Sequence, residues 1–185
     1  GRPTTKKTRI IAEHQQVLRI DRETKKNISA ATFAAIIASA EKIIPEVDVI
    51  LISDYGKGLI TRDLVARLVN LANVHGKLTI ADPKGLDYSK YTGVSLLTPN
   101  RKAASQASGI EIIDEESLAS AGSLLLEKSG TDRLLITCGQ DGMPFFDPAR
   151  APFTIHPRPP QLHDLPAPPD PRTAALALGL PAPPP

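Results

Sequence analysis

The chain of 185 residues has little of what secreted, membrane-bound or nucleic-acid-binding proteins use. Its single cysteine, Cys138, excludes an internal disulfide and a cysteine-based metal cluster, which suits a reducing compartment. No run approaches the roughly 18 apolar residues of a membrane span, and the first residues lack the apolar stretch of a secretory signal. The net charge of +2 comes from interspersed acidic and basic residues, so no basic field supports nucleic-acid binding. These absences predict a cytoplasmic protein without membrane or nucleic-acid partners.

Histidine is also scarce, and proline is unevenly placed. The four histidines show no metal-binding spacing, so no metal site is predicted from side chains: His14, His75, His156 and His163. Thirteen of the 18 prolines lie from Pro148 onward, where they fix φ and remove backbone donors too often for regular structure. We therefore expect three segments: a hairpin segment over 1–28, an α/β core over 29–156 and a proline-rich tail over 157–185.

The pattern of apolar residues predicts the fold class. Apolar and polar side chains alternate in two segments, which predicts a half-buried antiparallel hairpin from residues 8–12 and 16–21. Three- and four-residue spacing predicts helices over 30–44, 61–74 and 114–128. Apolar runs predict buried strands over 47–52, 78–81, 94–97 and 133–137, and a turn through Gly139 and Gly142 leads to 143–146. The alternation predicts an α/β fold with a doubly wound, mainly parallel sheet flanked by helices, and the hairpin at the N-terminus.

Each predicted parallel strand ends in a polar or glycine-rich loop. Such loops meet at one edge of a parallel sheet, where ligands bind, and here they carry Asp54, Lys57, Asp82, Lys84 and Asn100. The two lysines adjoin glycine and suit phosphoryl groups. A structural interpretation is also open, with solvated lysines, aspartates that cap turns and an asparagine that caps a helix. The residues alone predict an α/β domain that binds an anionic ligand.

Five segments, taken in order, resemble the ribokinase-type (PfkB) carbohydrate kinases. They are QQVLRID at 15–21, SDYGKG at 53–58, ADPKG at 81–85, LTPN at 97–100 and LITCGQDGM at 135–143. Within that family the second and third segments are most similar to the D-glycero-β-D-manno-heptose 7-phosphate kinases, which are often fused to an adenylyltransferase. The similarity extends from about residue 8 to residue 146.

The resemblance implies ATP, Mg²⁺ and transfer of the γ-phosphoryl group to the anomeric hydroxyl of heptose 7-phosphate, as in lipopolysaccharide precursor synthesis. It assigns nucleotide binding to Lys84, Asn100, Arg101, Lys102, Ala103, Gly139 and Gly142. It assigns substrate or phosphate binding to Arg19, Asp54, Lys57 and Asp82. The hairpin corresponds to the lid over the sugar, and the resemblance implies a homodimer formed through it.

Three departures from the family pattern predict impaired activity. The family begins with a segment that carries a Gly-Gly sugar-binding motif, and we expect this sequence to start after it. Ala103 stands where the family has a glutamate that helps to order Mg²⁺. The family's Asp-x-Thr-Gly-Ala-Gly-Asp element aligns with 164–170, with Asp170 as the candidate base. Pro168 and Pro169 occupy its glycine-rich turn and lack the N–H groups of an anion hole. A proline-rich terminus without any such role is the alternative.

Three functions stay open on these observations. The first is a sugar-phosphate kinase by descent, in which Asp170 deprotonates the attacking hydroxyl. The second is a non-catalytic remnant that binds nucleotide or dimerises through the hairpin. The third is a ribokinase-type kinase for another sugar. Nucleotide binding without turnover favours the second.

Overall fold

The computed structural model describes residues 3–12 and 15–156. The segment 157–185, with its candidate base Asp170 and the two prolines of the altered motif, lies outside the described residues. The functional assignments made there stay predictions. Within the described ranges, no helix is long and apolar enough to cross a membrane.

The N-terminal hairpin is present and forms a sheet of its own, separate from the main sheet. It consists of β1 (Lys6–Ala12) and β2 (Gln15–Arg22), paired antiparallel with an irregularity after Ile10. Every residue of both strands is exposed, so the expectation of a half-buried hairpin was wrong. The physical reason is that a two-stranded ribbon cannot bury its own apolar face, and no described element covers this one.

A six-stranded sheet forms the body of the protein. Its strands are β3 (Val49–Ser53), β4 (Leu78–Asp82), β5 (Leu96–Leu97), β6 (Leu134–Leu135), β7 (Met143–Asp147) and β8 (Arg150–Ile155). They lie in sequence order, with β3 to β6 parallel and the last two pairings antiparallel. The expectation of a mainly parallel sheet is confirmed. Strand β8 shows that the expectation of no regular structure from Pro148 onward was wrong for residues 150–155. Pro152 is tolerated because β8 lies at the sheet edge.

Within the described ranges, four α-helices accompany the sheet: α1 (Ala30–Ile43), α2 (Arg62–Val74), α3 (Arg101–Ser108) and α4 (Glu115–Ser129). Each begins after a polar residue whose side chain accepts a backbone N–H of the first turn, and these caps are Ser29, Thr61, Asn100 and Asp114. Two of the helices end at glycines in the left-handed region, Gly109 and Gly130. Local capping chemistry therefore sets most of the helix boundaries.

The two faces of the sheet contribute to separate apolar clusters. The larger cluster joins the sheet to helices α2, α3 and α4, and includes Ile52, Val65, Tyr91, Leu97, Ala104, Leu125, Leu134 and Phe146. The smaller cluster contains side chains from the opposite face of the sheet, namely Ile80, Leu96, Leu135, Met143 and Phe145. Successive side chains of a strand point to opposite faces of the sheet. Because neighbouring residues of these strands enter different clusters, the strands are apolar on both faces. This packing holds the loops at the strand ends in place.

Gly122 marks the closest approach of a helix to the sheet. A Cβ at this position would lie 2.1 Å from Cζ of Phe146, whose ring is buried against α4. We expect Gly122→Ala to lower the free energy of unfolding by about 1–3 kcal/mol through overpacking. Ser120→Ala, at an exposed position of the same helix, serves as the control and should change it by less than about 0.5 kcal/mol. Urea titrations of both variants measure this; equal stability of the two would contradict the close packing.

Candidate functional site

The carboxyl ends of β3, β4, β5 and β6 meet at one edge, and main-chain hydrogen bonds continue between their loops. The N–H of Asp54 donates to the carbonyl of Asp82 (3.1 Å), and the N–H of Thr98 donates to that of Ala81 (2.9 Å). The N–H of Thr137 donates to the carbonyl of Pro99 (2.9 Å). The prediction that Asp54, Asp82 and Asn100 lie at one edge of the sheet is confirmed. We name this set of loops the ligand edge.

Asp54 is a buried carboxylate with a full set of protein partners. It is 5% exposed and accepts hydrogen bonds from the N–H of Gly56 (2.7 Å) and the hydroxyl of Tyr91 (2.7 Å). The ammonium of Lys90 forms an ion pair with it. Tyr91 in turn accepts a hydrogen bond from the N–H of Lys84 (2.9 Å). This network ties the loop after β3 to the loop after β4, so the structure gives Asp54 a positioning role, while contact with substrate stays a prediction.

Burial sets the ionisation of the two tyrosines beside this network. It raises the pKa of Tyr91, so the hydroxyl keeps its proton for Asp54. It also raises the pKa of Tyr88, and the charge of Asp82 acts in the same direction. Among the described residues, the buried Tyr88 hydroxyl has no hydrogen-bond partner. Sequence reasoning missed Lys90 and Tyr91, because no local pattern links them to a carboxylate about 36 residues earlier.

Lys57 lies where the hairpin segment meets the core. Its ammonium pairs with Glu23, and the N–H of Ile28 donates to the carbonyl of Gly58 (3.1 Å). A cavity of about 620 Å³ opens between the base of the hairpin and the loop after β3. Its lining residues include Thr5, Lys7, Glu23, Asp54, Tyr55 and Lys57. The structure therefore brings Lys57 and Asp54 to one cavity, and their contact with a substrate stays a prediction.

Lys84 follows β4 and lies toward the loop after β3. A Cβ at Gly56 would meet Cγ of Lys84 at 3.1 Å, so the stem of this lysine packs against the neighbouring loop. The residue itself is exposed. Its predicted contact with nucleotide stays a prediction, and the observed contacts associate it with the loop that carries Asp54.

The predicted nucleotide-binding residues after β5 and β6 lie together. Asn100 pairs with Thr137 through a parallel bridge, and its Oδ1 caps α3 by accepting the N–H of Ala103 (2.8 Å). A guanidinium nitrogen of Arg101 lies 2.9 Å from a carboxylate oxygen of Asp141, in the turn Gly139–Asp141. A hydrogen bond to the Cys138 thiol, together with the charge of Asp141, raises the pKa of Arg101. Asn100, Arg101 and the glycine turn therefore form one surface, next to which Lys102 is exposed.

The described residues do not form a magnesium cage at this surface. Mg²⁺ in nucleotide sites is held by one or two carboxylates together with phosphate oxygens. Ala103 offers a methyl group where the family pattern has a carboxylate, and Oδ1 of Asn100 is engaged as a helix cap. Within residues 3–12 and 15–156, no three histidine, cysteine, aspartate or glutamate side chains converge into a metal-binding group.

Comparison with known proteins decides the family. The profile described as pfkB family carbohydrate kinase matches residues 1–163. The chain belongs to this family. It is 48% identical over 182 residues to the bifunctional protein HldE of Desulfatibacillum aliphaticivorans, covering 98% of this chain and 37% of that protein. It is 49% identical over 147 residues to the bifunctional protein HldE of Helicobacter hepaticus, covering 80% of this chain and 30% of that protein. This pfkB-family chain therefore spans less than half the length of these curated relatives.

Solved structures support the same fold. The ribokinase of Giardia lamblia superposes with a TM-score of 0.62 at 15% identity, over 84% of this chain and 48% of that one. The ribokinase of Arabidopsis thaliana, solved with ribose and ATP, gives a TM-score of 0.58 at 16% identity, over 81% of this chain and 47% of that one. At these identities the likeness shows that the pfkB-family chain has a ribokinase-like fold.

Proposed function

We propose that the chain is the nucleotide-binding part of an ATP-dependent kinase that phosphorylates a heptose phosphate, D-glycero-D-manno-heptose 7-phosphate, at its anomeric hydroxyl. The observation that carries this proposal is the single surface formed by Asn100, Arg101 and the Gly139–Asp141 turn, which lies at the same edge of the sheet as the cavity lined by Asp54 and Lys57. The proposed substrate class rests on the sequence similarity to the bifunctional HldE proteins. Its proposed setting is the cytoplasm.

The residues at the ligand edge have distinct roles in this proposal. ATP supplies the γ-phosphoryl group, and its bound Mg²⁺ neutralises phosphate charge. Arg101 and Lys102 are the cations at the nucleotide surface, and Gly139 leaves it open because a Cβ there would meet nothing within 4 Å. Lys57, which lines the cavity, is assigned to the sugar phosphate together with Asp82 and Arg19, and the Asp54 network holds the two loops in register. Phosphoryl transfer depends on such positioning more than on covalent chemistry by the protein.

We further propose that the chain as it stands has impaired turnover. Asp170 is the candidate base, but Pro168 and Pro169 cannot donate the N–H groups that would face a transferring phosphoryl group. Ala103 removes a carboxylate from the metal side of the nucleotide. Nucleotide binding survives these changes in our account, because Asn100, Arg101 and the glycine turn are intact.

Calorimetry with Mg·ATP tests the nucleotide assignment. We expect weak binding, in the millimolar range, that Arg101→Gln reduces by about tenfold through loss of a charge-assisted contact. Ala103→Glu should restore a carboxylate and tighten Mg·ATP relative to metal-free ATP. No heat and no thermal shift at millimolar nucleotide would contradict the proposed function. An unchanged response to Mg²⁺ in Ala103→Glu would contradict only the role of position 103.

A second candidate function, association through the hairpin, has its own observation in the structure. One face of the hairpin carries Ile10, Leu18 and Ile20, which are 45%, 50% and 43% exposed. We propose that a second copy of the chain covers this face, since exposed apolar faces and sheet edges of this kind favour association. This role needs no turnover, so it is open to a binding remnant and to an active kinase alike.

Light scattering tests the hairpin dimer. The double variant Ile10→Thr/Leu18→Thr keeps strand propensity while removing apolar area, so we expect its mass to fall from that of a dimer toward that of a monomer. Ile113→Thr, which is 76% exposed in the native chain and lies outside the hairpin, is the matched control and should remain dimeric. A native chain that stays monomeric at high concentration would rule the proposal out.

A further inference from the structure

Lys84 is held at two points, one on its main chain and one on its side chain. Its N–H donates to the hydroxyl of Tyr91 (2.9 Å). Its stem packs against Gly56, where a Cβ would lie 3.1 Å from Cγ of the lysine. These two contacts set both the origin and the direction of the side chain. The residue is exposed, and among the described residues its ammonium forms no ion pair.

Both contacts of Lys84 depend on the buried carboxylate of Asp54. The hydroxyl of Tyr91 donates to Oδ2 of this carboxylate (2.7 Å), which leaves a lone pair of the hydroxyl oxygen for the N–H of Lys84. The N–H of Gly56 donates to Oδ1 (2.7 Å), and this bond fixes the turn against which the lysine stem packs. Burial raises the pKa of Tyr91, so the hydroxyl keeps the proton that it donates.

Tyr91 is anchored to the body of the protein. It is fully buried and belongs to the larger apolar cluster. The segment around it is tied to two helices, because the guanidinium of Arg62 in α2 donates to the carbonyl of Ser89 (3.1 Å). On the other side, the hydroxyl of Thr92 donates to the carbonyl of Ser129 at the end of α4 (2.9 Å). The tyrosine is therefore a fixed point that holds the loop after β4 at the ligand edge.

We propose that Tyr91 is a positioning residue for Lys84, which it holds in place to bind a phosphate group of the nucleotide. A lysine ammonium is a point charge on a flexible stem, so it contributes most to phosphate binding when its position is fixed beforehand. The Asp54 network then serves the nucleotide, although Asp54 itself lines the neighbouring cavity. This inference rests on the proposed function, because it names a further residue of the same nucleotide site.

Titration of the 185-residue chain with Mg·ATP and with adenosine, followed by the chemical shifts of backbone amides, tests this role. Tyr91→Phe keeps the buried ring and removes the hydroxyl. We expect it to raise the Kd for Mg·ATP by about threefold to tenfold, because Lys84 keeps its charge but loses its fixed position. The Kd for adenosine, which has no phosphate, should not change. A general loosening of the fold would weaken the binding of both ligands.

A double-mutant cycle with Lys84→Met separates positioning from packing. Methionine keeps a long unbranched stem against Gly56 and removes the charge, so Lys84→Met alone should raise the Kd for Mg·ATP by about tenfold. In the Lys84→Met background, Tyr91→Phe should have no further effect, since the hydroxyl acts only through the lysine. Asp54→Asn acts on the same hydroxyl and should show the same dependence on Lys84, which tests the inference even if Tyr91→Phe does not fold.

Tyr88→Phe is the matched control. Tyr88 is also buried, its ring centroid lies 6.2 Å from that of Tyr91, and its hydroxyl has no partner among the described residues. This variant should leave both Kd values unchanged. The inference is overturned if Tyr91→Phe leaves the Kd for Mg·ATP unchanged, if Tyr88→Phe raises it equally, or if Tyr91→Phe has the same effect with and without Lys84. A native chain that binds no Mg·ATP contradicts the proposed function and this inference together, whereas binding that is insensitive to Tyr91 contradicts this inference alone.

Discussion

Kinase turnover by the 185-residue chain on heptose 7-phosphate is expected to be undetectable, and Asp170→Asn is expected to change nothing measurable. A well-placed base contributes about 10²–10⁴-fold to rate, but only when the anion hole is also present. Loss of one oxyanion-type donor costs on the order of 10²–10³-fold, and Pro168 and Pro169 remove two candidate donors. The missing carboxylate at Ala103 adds to this loss. Together these changes place the rate below easy detection even when nucleotide binds.

A restored chain provides the positive control for this expectation. Ala103→Glu combined with Pro166→Thr, Ala167→Gly, Pro168→Ala and Pro169→Gly returns the residue types of the family pattern. Coupled-enzyme measurement of ADP release, made with the family's N-terminal sugar-binding segment joined to both chains, should show turnover in this variant only, and Asp170→Asn should abolish it there. If the unmodified chain turned over within the usual range of about 1–10³ s⁻¹, and Asp170→Asn abolished that activity, our interpretation of the tail would be wrong.

Gly58→Ala is expected to give the largest loss of stability among single substitutions at the ligand edge. Gly58 has φ +78°, and a Cβ there would lie 2.3 Å from the carbonyl oxygen of Lys26 and 2.6 Å from that of Lys25. Both neighbours are main-chain atoms of the segment that links the hairpin to the core, so neither yields by a rotamer change. Strained φ and overpacking each cost about 1–3 kcal/mol, and we expect a sum of about 2–6 kcal/mol.

Gly85→Ala separates the two causes. Gly85 also has a positive φ (+99°), but a Cβ there would meet nothing within 4 Å. It should therefore cost only the backbone strain, about 1–3 kcal/mol. Denaturant titrations of the two variants give the difference, and hydrogen exchange of residues 6–28 should show that Gly58→Ala loosens the hairpin segment while Gly85→Ala does not. Equal effects would mean that Gly58 does not hold the hairpin to the core.

The sequence predicted the parallel part of the sheet and the shared edge, because strand periodicity and polar strand ends are local patterns. The turn at Gly139–Asp141 and the caps at Ser29 and Asn100 follow from the same local rules. Tertiary contacts supplied what the sequence could not. The partners of Asp54 come from residues 90 and 91, and those of Lys57 from residue 23. No spacing rule links such distant residues.

In the hairpin, the local pattern predicted strand pairing but not burial. Alternation correctly predicted two paired strands, but it cannot say whether the apolar face is covered within the same chain. Ile10, Leu18 and Ile20 have the pattern of buried residues and are exposed. The sequence alone also does not predict that Arg9 faces Arg19. The two residues are ten positions apart, and their alignment depends on the irregularity after Ile10.

Hydrogen exchange of the chain with and without Mg·ATP tests the central claim most directly, because it locates nucleotide binding on the fold. Our account predicts slower exchange in peptides covering 97–103 and 135–143, where Asn100, Arg101 and the glycine turn meet. It predicts no change in residues 147–151, at the β7–β8 turn on the opposite side of the sheet. Protection confined to the β7–β8 turn, or no protection at millimolar Mg·ATP, would contradict the assignment of this edge as the nucleotide site.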